Sequence, residues 1–331
     1  MNLSLPKPCT SHLAGSLGTP RIICSYQKLD GTINTDDVSF PVCKLPNKGT
    51  NLLSGYSSSS SISDPSAAEE TPCILTAINQ KNIPWNSYHF VSYRNTISRI
   101  AMLSYLSDDT FSAFAVKHNN TVFFGMIHSP TRVVNENHRR SMYIGRQVER
   151  VMLNQQRDAS FVNLVETFFI GNNHQNPIKI LIACETDCID GNGKFTEIKT
   201  AHTNSKSSNY TKCEKAMKTF VQSALGGVSQ ILTIYHSNGI VSGSELRDVN
   251  YYPTLCRRLP RTTEFNNVRE WDPRRIFGTG EYVLGWIHSR MVEETVYRFS
   301  VLNGTVCLEE DSSDEGRGFA DNVEKVVKEK K

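Results

Sequence analysis

The strongest constraint on the fold is an apolar segment that ends in two acids and runs at once into a glycine-rich turn. Residues 180–184 are all apolar and lead into Glu185 and Asp187. The Asp-Gly-Asn-Gly sequence of residues 190–193 is typical of a turn. A second segment then carries Glu197 and Lys199. A short apolar run bounded by turn residues predicts a buried strand, so residues 179–199 predict two strands joined as a hairpin.

The length of the turn decides whether the charged side chains of the two strands meet. Side chains two residues apart share one face of a strand. A two-residue loop at 191–192 puts the two charged pairs on opposite faces. A three-residue loop at 191–193 places Asp187 opposite Glu197, and Glu185 opposite Lys199. Gly193 suits the left-handed backbone of the longer loop, so we favour this second register.

Three carboxylates on one face repel one another unless a cation joins them. Mg²⁺ and Mn²⁺ prefer carboxylate and carbonyl oxygens and keep several waters, so one or two such ions fit this pattern. The metal would activate a water and neutralise phosphate charge, while Lys199 orients the nucleophile or holds the phosphate. The acids followed by Glu-x-Lys resemble the PD-(D/E)-x-K nuclease core. The alternative interpretation is a surface hairpin with ordinary charges.

Elsewhere the pattern predicts both helices and strands. Helical spacing of apolar residues predicts helices over 94–106, 141–156 and 211–225, the last with a capping box at Thr211 and Glu214. Alternation predicts hairpins from 111–116 with 121–127 and from 296–301 with 305–308, and a strand over 228–235. The prediction is a mixed α/β (α+β) fold: a single large domain with twisted mixed β-sheets flanked by helices.

Composition sets the limits of that domain. Residues 1–21 are rich in Pro, Ser and Gly and predict a flexible segment, and a serine-rich stretch at about 55–65 predicts a flexible loop. Residues 309–331 are acidic and then basic, which predicts a solvated charged tail. The predicted catalytic domain is therefore 22–308.

The remaining composition excludes several classes. A net charge of +3 does not by itself indicate nucleic-acid binding. The nine cysteines include no Cys-x-x-Cys pair, which argues against a zinc knuckle. No apolar run is long enough for a signal peptide or a membrane span, so we expect no membrane contact and reduced thiols in the nucleus or cytoplasm.

Five short motifs in order resemble the DXO (Dom3Z) family of RNA 5′-end decapping exonucleases, over roughly residues 22–308. The motifs are Arg94, then Gly145-Arg-Gln-Val-Glu149, Glu185-Thr-Asp187, Glu197-Ile-Lys199 and finally Gln222. No single motif is specific, but their order is. The resemblance implies the DXO fold, which is related to the PD-(D/E)xK core.

The resemblance also implies a role for each residue. Glu149, Asp187 and Glu197 would bind Mg²⁺ or Mn²⁺ together with the Ile198 carbonyl, and Glu185 would act through a metal-bound water. Lys199 and Gln222 would hold the reacting phosphate, and Arg94 would bind phosphates further along the RNA. The implied substrates are RNA 5′ ends that are capped, NAD-capped, triphosphorylated or monophosphorylated. Some relatives also bind a larger exoribonuclease, so such a partner is part of the expectation.

Two departures from the family pattern indicate a divergent paralogue with narrowed substrates. The family has aromatic residues between the Gly and Glu of the second motif, where this chain has Arg146, Gln147 and Val148. The hairpin loop is also short. Two other functions stay open: a DNA nuclease with the same metal chemistry, and a catalytically weak or inactive protein that binds RNA ends or regulates a partner.

Overall fold

The structure is a computed structural model of the chain, and it describes most of the 331 residues. The described ranges are 1–4, 13–29, 31–57, 71–106, 110–127, 135–154, 159–172, 177–203, 209–258, 271–302 and 304–328.

Most strands belong to one mixed sheet of eleven strands. Its members are β1 (Asn2–Ser4), β2 (Gly15–Leu17), β3 (Arg21–Leu29), β4 (Thr32–Asn34), β5 (Phe90–Tyr93), β6 (Phe111–His118), β7 (Thr121–Met126), β8 (Ala159–Gly171), β9 (Ile178–Glu185), β14 (Val296–Leu302) and β15 (Thr305–Glu310). The order across the sheet is β1-β15-β14-β6-β7-β5-β9-β8-β3-β4, and β2 also pairs with β8. Strand β5 runs parallel to both its neighbours, β7 and β9, whereas β8 and β9 are antiparallel.

A smaller four-stranded sheet follows β9 in the chain, in the order β10-β11-β12-β13. Its strands are β10 (Cys188–Ile189), β11 (Phe195–His202), β12 (Gln230–Ser237) and β13 (Ile240–Asp248). Strands β11 and β12 are parallel, and such strands need a crossover, which here contains a helix.

The α-helices lie around these sheets. They are α1 (Thr71–Gln80), α2 (Arg94–Met102), α3 (Glu136–Leu153), α4 (Asn209–Gly226), α5 (Tyr252–Leu255), α6 (Pro273–Arg290) and α7 (Asp314–Lys328). Helix α4 is the crossover between β11 and β12. None of the helices in the described part of the chain combines the length and apolar character needed to cross a bilayer.

The large sheet buries apolar side chains on both faces, as alternation along β9 shows. Ile180, Ile182 and Cys184 face a cluster formed with α2, α4 and α6. Leu181 and Ala183 face a second cluster formed with α1 and α7. A strand that is covered by helices on both faces has apolar residues at consecutive positions. This explains why residues 180–184 are all apolar.

The predicted fold class is confirmed, and so are most of the predicted elements. The helices predicted at 94–106, 141–156 and 211–225 correspond to α2, α3 and α4, and both predicted hairpins form. The capping box was misplaced, because α4 begins at Asn209 and therefore contains Thr211. Glu214 instead pairs with Lys218 one turn later, at 2.6 Å.

The predictions for the two ends of the chain, a flexible N-terminal segment and a solvated charged C-terminal tail, need correction. In the N-terminal segment, β1 pairs with β15 and β2 pairs with β8, because the unpaired edges of those strands offer backbone hydrogen bonds. The predicted solvated tail at 309–331 is wrong, because its residues 314–328 form α7. Phe319, Val323, Val326 and Val327 of this helix are buried against the large sheet. The predicted loop at 55–65 lies mostly outside the described residues, which stop at 57 and resume at 71.

Candidate metal centre

The two acids after the apolar strand lie where the chain passes from the large sheet into the small one. Glu185 is the last residue of β9, and Cys188 begins β10. Thr186 holds the crossing point to strand β8: its N–H donates to the Phe161 carbonyl at 2.8 Å, and its hydroxyl accepts from the Asn163 side chain at 3.1 Å. Glu185 and Asp187 thus lie on either side of a buried, hydrogen-bonded residue that fixes their positions.

The turn has the register predicted for a three-residue loop. The Asp190 N–H donates to the Lys194 carbonyl at 2.9 Å, and the Gly193 N–H donates to the Asp190 carbonyl at 3.0 Å. Gly193 has a φ of 77°, in the left-handed region that glycine adopts without a steric penalty. Cys188 pairs with Thr196, so the same register places Asp187 opposite Glu197.

The predicted pairing of Glu185 with Lys199 is wrong. Glu185 lies opposite Val162 in the large sheet, whereas Lys199 lies opposite Thr233 in the small sheet. The hairpin ladder ends at Cys188 because the bonds of Thr186 to β8 carry the preceding residues into the other sheet.

Asp187 accepts a backbone hydrogen bond from the facing strand. The Ile198 N–H donates to its Oδ2 at 2.6 Å. In a strand the N–H and the C=O of one residue point to the same edge, so the Ile198 carbonyl lies on the Asp187 side of β11. The predicted ligand pair of the Asp187 carboxylate and the Ile198 carbonyl is therefore brought to one edge of the strand.

Glu197 is buried between two cations. Its carboxylate contacts the Arg94 guanidinium at 3.3 Å and also the Lys199 ammonium. Arg94 is the first residue of α2, directly after β5, and it is almost fully buried. The residue predicted to bind RNA phosphates therefore contacts a predicted metal ligand in this structure.

Helix α3 supplies the remaining acid. Ile144, Val148 and Met152 recur at helical spacing and pack on the small sheet. At the N-terminus of α3, the Asn135 side chain accepts from the His138 N–H at 2.9 Å. Glu149 follows the buried Val148 and points toward the sheet crossing.

These elements line one open cleft, called here the acidic cleft. Its walls are Arg146, Glu149, Arg150, Leu153, Ala159, Ser160, Phe161, Glu185, Thr186 and Asp187. Three predicted acids, Glu149, Glu185 and Asp187, thus share one cleft although they are far apart in the sequence. Gln222 lies half-buried on α4 and is not among the residues that line the cleft.

Burial and mutual repulsion perturb the acids. Burial, with Asp187 and Glu185 nearby, raises the pKa of Glu149 to about 8. Burial, with Glu197 nearby, raises the pKa of Asp187 to about 7. A raised pKa means that the folded protein disfavours the charged carboxylate relative to the neutral acid. A bound cation would offset this cost.

Glu197, on the facing strand, has a lowered pKa instead. Burial alone would raise the pKa of Glu197, but Lys199 and then Arg94 outweigh it and hold the pKa at about 2. Burial disfavours the charged form of Lys199 and by itself would lower its pKa. The nearby carboxylates of Glu197 and Asp187 outweigh burial and raise the pKa above its usual value. Lys199 is therefore an ammonium at neutral pH, suited to hold an anion and unable to accept a proton.

The donor chemistry fits a hard divalent cation. The predicted ligands are all oxygens, and two of the acids are charged only at a cost that a cation would offset. Within the described ranges, however, no three His, Cys, Asp or Glu side chains already surround one point. Glu197 is engaged by Arg94 and Lys199, so a cation would share or exchange these contacts.

Two residues of the cleft were missed by the sequence analysis. Arg146 and Arg150 line it beside Glu149, with the Arg146 Nη1 at 4.0 Å from the Glu149 Oε2. Their spacing of four residues, with Glu149 between them, places all three on one helix face. In the sequence, this spacing is the feature that predicts Arg146 and Arg150 at the same site as Glu149.

One known protein family matches nearly the whole chain. The family described as RAI1 like PD-(D/E)XK nuclease matches residues 19–327. The chain belongs to this RAI1-like nuclease family. The family match extends past 308 into α7, in agreement with the packing of that helix. A comparison with curated proteins gives no match.

Solved structures of the RAI1-like family share the fold. Scheffersomyces stipitis Rai1, in complex with (3′-NADP)⁺ and calcium ion, superposes with a TM-score of 0.76 at 18% identity, over 96% of this chain and 94% of its own. Candida albicans Rai1, in complex with pU5 and Mn²⁺, gives 0.71 at 18%, over 96% of each chain. K. lactis Dxo1, in complex with manganese, gives 0.69 at 15%, over 94% of this chain and 98% of its own. At this identity the likeness establishes the fold.

Proposed function

We propose that this protein is a Mg²⁺- or Mn²⁺-dependent hydrolase of RNA 5′ ends. In this proposal it removes incomplete or NAD caps, cleaves pyrophosphate from 5′ triphosphates, and then degrades the RNA from the 5′ end. The observation that carries the proposal is the meeting of Glu149, Glu185 and Asp187 in one cleft, with Glu197 opposite Asp187. These acids come from separate elements, and an ordinary surface hairpin does not need them together.

The acidic residues and Lys199 would have different roles. Asp187, Glu149 and the Ile198 carbonyl would hold the cation, with Glu197 on the facing strand. When bound, the cation supplies an activated water and neutralises charge on the phosphate. Lys199 is held as an ammonium beside Glu197 and is placed to bind a phosphate oxygen.

For a 5′-triphosphate end the bond changes are simple. A water oxygen forms a bond to the α-phosphorus while the bond from that phosphorus to the bridging oxygen breaks. The electron pair leaves with pyrophosphate, and the water proton passes to solvent. The product is a 5′-monophosphate RNA.

The relatives supply the argument for RNA 5′ ends. The Candida albicans protein is described with pU5 and Mn²⁺, and the Scheffersomyces stipitis protein with (3′-NADP)⁺ and calcium. The first is an RNA with a 5′ phosphate, and the second contains the dinucleotide found in an NAD cap. Both ligand types carry phosphates that the acidic cleft could hold through a cation.

The test is incubation of the purified protein with RNAs labelled at the 3′ end. The RNAs should end in a 5′ triphosphate, a monophosphate, an NAD cap or an unmethylated cap, and Mn²⁺ or Mg²⁺ should be present. We expect cleavage at the 5′ end by the wild type. We expect a loss of at least about 100-fold in Asp187→Asn with Glu197→Gln, since both proposed ligands are removed.

A matched control is Glu309→Gln, which neutralises an exposed acid outside the cleft and should keep full activity. Metal-dependent cleavage of DNA in preference to RNA would replace the proposal with a DNA nuclease. RNA binding without turnover in either metal would contradict hydrolysis and favour a binding or regulatory protein.

A further inference from the structure

The small sheet ends at β13, and the outer side of this strand is covered at its start. There the Val241 N–H donates to the Thr50 carbonyl, and the Val241 carbonyl accepts from the Gly49 N–H, both at 2.9 Å. A register shift between β12 and β13 follows Val241. Beyond the shift, residues 244–248 pair with β12 on one side and have no strand on the other within the described ranges. Their outer side is therefore a sheet edge.

The register of β13 on β12 shows which backbone groups point to this edge. The Val249 N–H donates to the Ser229 carbonyl at 3.0 Å, so the backbone of Val249 points toward β12. Consecutive residues of a strand point their N–H and C=O to alternate sides. Glu245 and Arg247 therefore bond toward β12, whereas the N–H and C=O of Leu246 point outward. Among the described residues, none bonds the backbone of Leu246 from the outer side.

The side chains along this edge suit the addition of another strand. Leu246 is 51% exposed, although its partner in β12, Leu232, is buried in the core of the small sheet. On the other face of β13, Glu245 and Arg247 form an ion pair at 2.6 Å. An unpaired edge with an exposed apolar residue is a template for a further strand. The two charges decide which strand fits.

The charges favour a second copy of β13. When two copies pair antiparallel about Leu246, each Glu245 lies opposite Arg247 of the other copy. A pairing centred one residue earlier places Glu245 opposite Glu245, and one centred a residue later places Arg247 opposite Arg247. Opposite charges on facing residues are favourable and like charges are unfavourable. Centring on Leu246 also lets its outward N–H and C=O exchange two hydrogen bonds with the second copy.

The ion pair within one strand is compatible with this arrangement. Tyr235 and Arg247 both contact the Oε2 of Glu245, at 2.8 and 2.6 Å. The Arg247 guanidinium also lies over the Tyr251 ring, 4.6 Å from its centroid. A carboxylate accepts through two oxygens, and a guanidinium carries five N–H donors. The Glu245 Oε1 and further donors of Arg247 can therefore bind a second copy while the contacts within each chain persist.

We propose that β13 is a homodimer interface, in which the edges of two chains pair antiparallel about Leu246. The two four-stranded sheets then form one continuous sheet across a two-fold axis. The partner is a second copy of this chain, because its strand offers opposite charges at matching positions. The dimer goes beyond the proposed hydrolysis and does not require it.

The test is the association of the whole chain in solution, measured by sedimentation velocity over a wide range of protein concentration. The variants are Glu245→Arg, Arg247→Glu and Leu246→Pro. Proline at 246 removes the outward N–H and leaves the bonds to β12 in place. The matched control is Glu310→Arg, which reverses an exposed acid at the end of β15 in the large sheet. Circular dichroism checks that each variant is folded.

We expect a concentration-dependent dimer for the wild type and for Glu310→Arg. Each charge reversal on β13 places like charges opposite each other twice, because the two-fold axis repeats the contact. The dissociation constant should therefore rise about tenfold or more, and Leu246→Pro should weaken the dimer similarly. An equal mixture of Glu245→Arg and Arg247→Glu regains opposite charges at both contacts. We expect the mixture to associate more tightly than either variant alone.

A wild type that stays monomeric at every concentration would overturn the inference, including the case in which the strand of another protein occupies the edge. A dimer that none of the three variants weakens lies on another surface and contradicts it as well. If both charge reversals weaken the dimer and their mixture does not recover, the pairing about Leu246 is wrong. None of these results bears on the cleavage of RNA 5′ ends, which is measured separately.

Discussion

At the scale of single residues, Glu149 and Glu197 are two acids in opposite electrostatic states. Glu197 lies between Arg94 and Lys199 and stays charged far below neutral pH. Glu149 lies near Asp187 and Glu185, and its pKa is raised to about 8. A metal ion added to this site therefore gains most from the acids whose pKa values are raised, Glu149 and Asp187.

The raised pKa of Glu149 predicts a change of stability with pH in the metal-free protein. An acid whose pKa is higher in the folded state binds more protons there, so its ionisation lowers stability as pH rises from the ordinary value of 4.5 to about 8. Glu149→Gln removes this effect. In EDTA, the free energy of unfolding of the variant minus that of the wild type should rise across this window.

Urea unfolding at several pH values measures that difference. Using the difference cancels the titrating groups that do not interact with Glu149, including the histidines His236 and His288, whose pKa values burial lowers. A difference that stays constant from pH 4.5 to 8 would show that Glu149 titrates normally in the folded protein.

At the scale of elements, the short hairpin that carries Asp187 and Glu197 depends on the backbone of one glycine. Gly193 has a φ of 77° and Gly191 does not have a positive φ. A Cβ at either position would meet no atom within 4 Å, so a clash distinguishes neither glycine and the backbone conformation does.

This difference gives a matched pair of substitutions. Gly193→Ala should destabilise the protein by about 1–2 kcal/mol, the cost of a left-handed L-residue. Gly191→Ala should be neutral or stabilising by less than about 1 kcal/mol, through the lower entropy of the unfolded chain. Unfolding in urea gives both values, and equal effects of the two changes would argue against the three-residue loop.

The same elements show what the sequence could predict. The hairpin register follows from the number of residues in the turn and from Gly193, both of which are local. The pairing of Glu185 was missed because it depends on the bonds of Thr186 to Phe161 and Asn163, which lie 25 and 23 residues earlier. No local pattern reports such a contact.

The prediction for the C-terminal segment is wrong for a different reason. Phe319, Val323, Val326 and Val327 recur at helical spacing, so the buried face of α7 was present in the sequence. The charges of the segment predict a solvated tail, whereas the spacing of these four residues predicts a buried helix face. The site residues were found through motif order, whereas their mutual distances and the engagement of Arg94 by Glu197 required the structure.

At the scale of the whole molecule, the proposed metal ligands join elements that are otherwise separate. Glu149 belongs to α3, Asp187 to the crossing between sheets, and Glu197 to the small sheet. A cation bound by all three would favour the folded arrangement over any opened one.

Mn²⁺ should therefore raise the melting temperature of the wild type. Ligand present at about 100 times its dissociation constant adds roughly 2.7 kcal/mol to the free energy of unfolding. Asp187→Asn should lose most of this shift, while Glu309→Gln should keep it. Differential scanning fluorimetry with and without Mn²⁺ measures both, and an undiminished shift in Asp187→Asn would place the bound metal elsewhere.

The crossing at Thr186 has one more consequence. Because the chain changes sheets between Glu185 and Cys188, the distance between the acids depends on how the two sheets are oriented toward each other. A small rotation of one sheet would spread the acids apart while every strand kept its own hydrogen bonds. Substitutions that leave the cleft lining intact but change the packing of α3 on the small sheet would therefore tune metal affinity in a protein that is still fully folded.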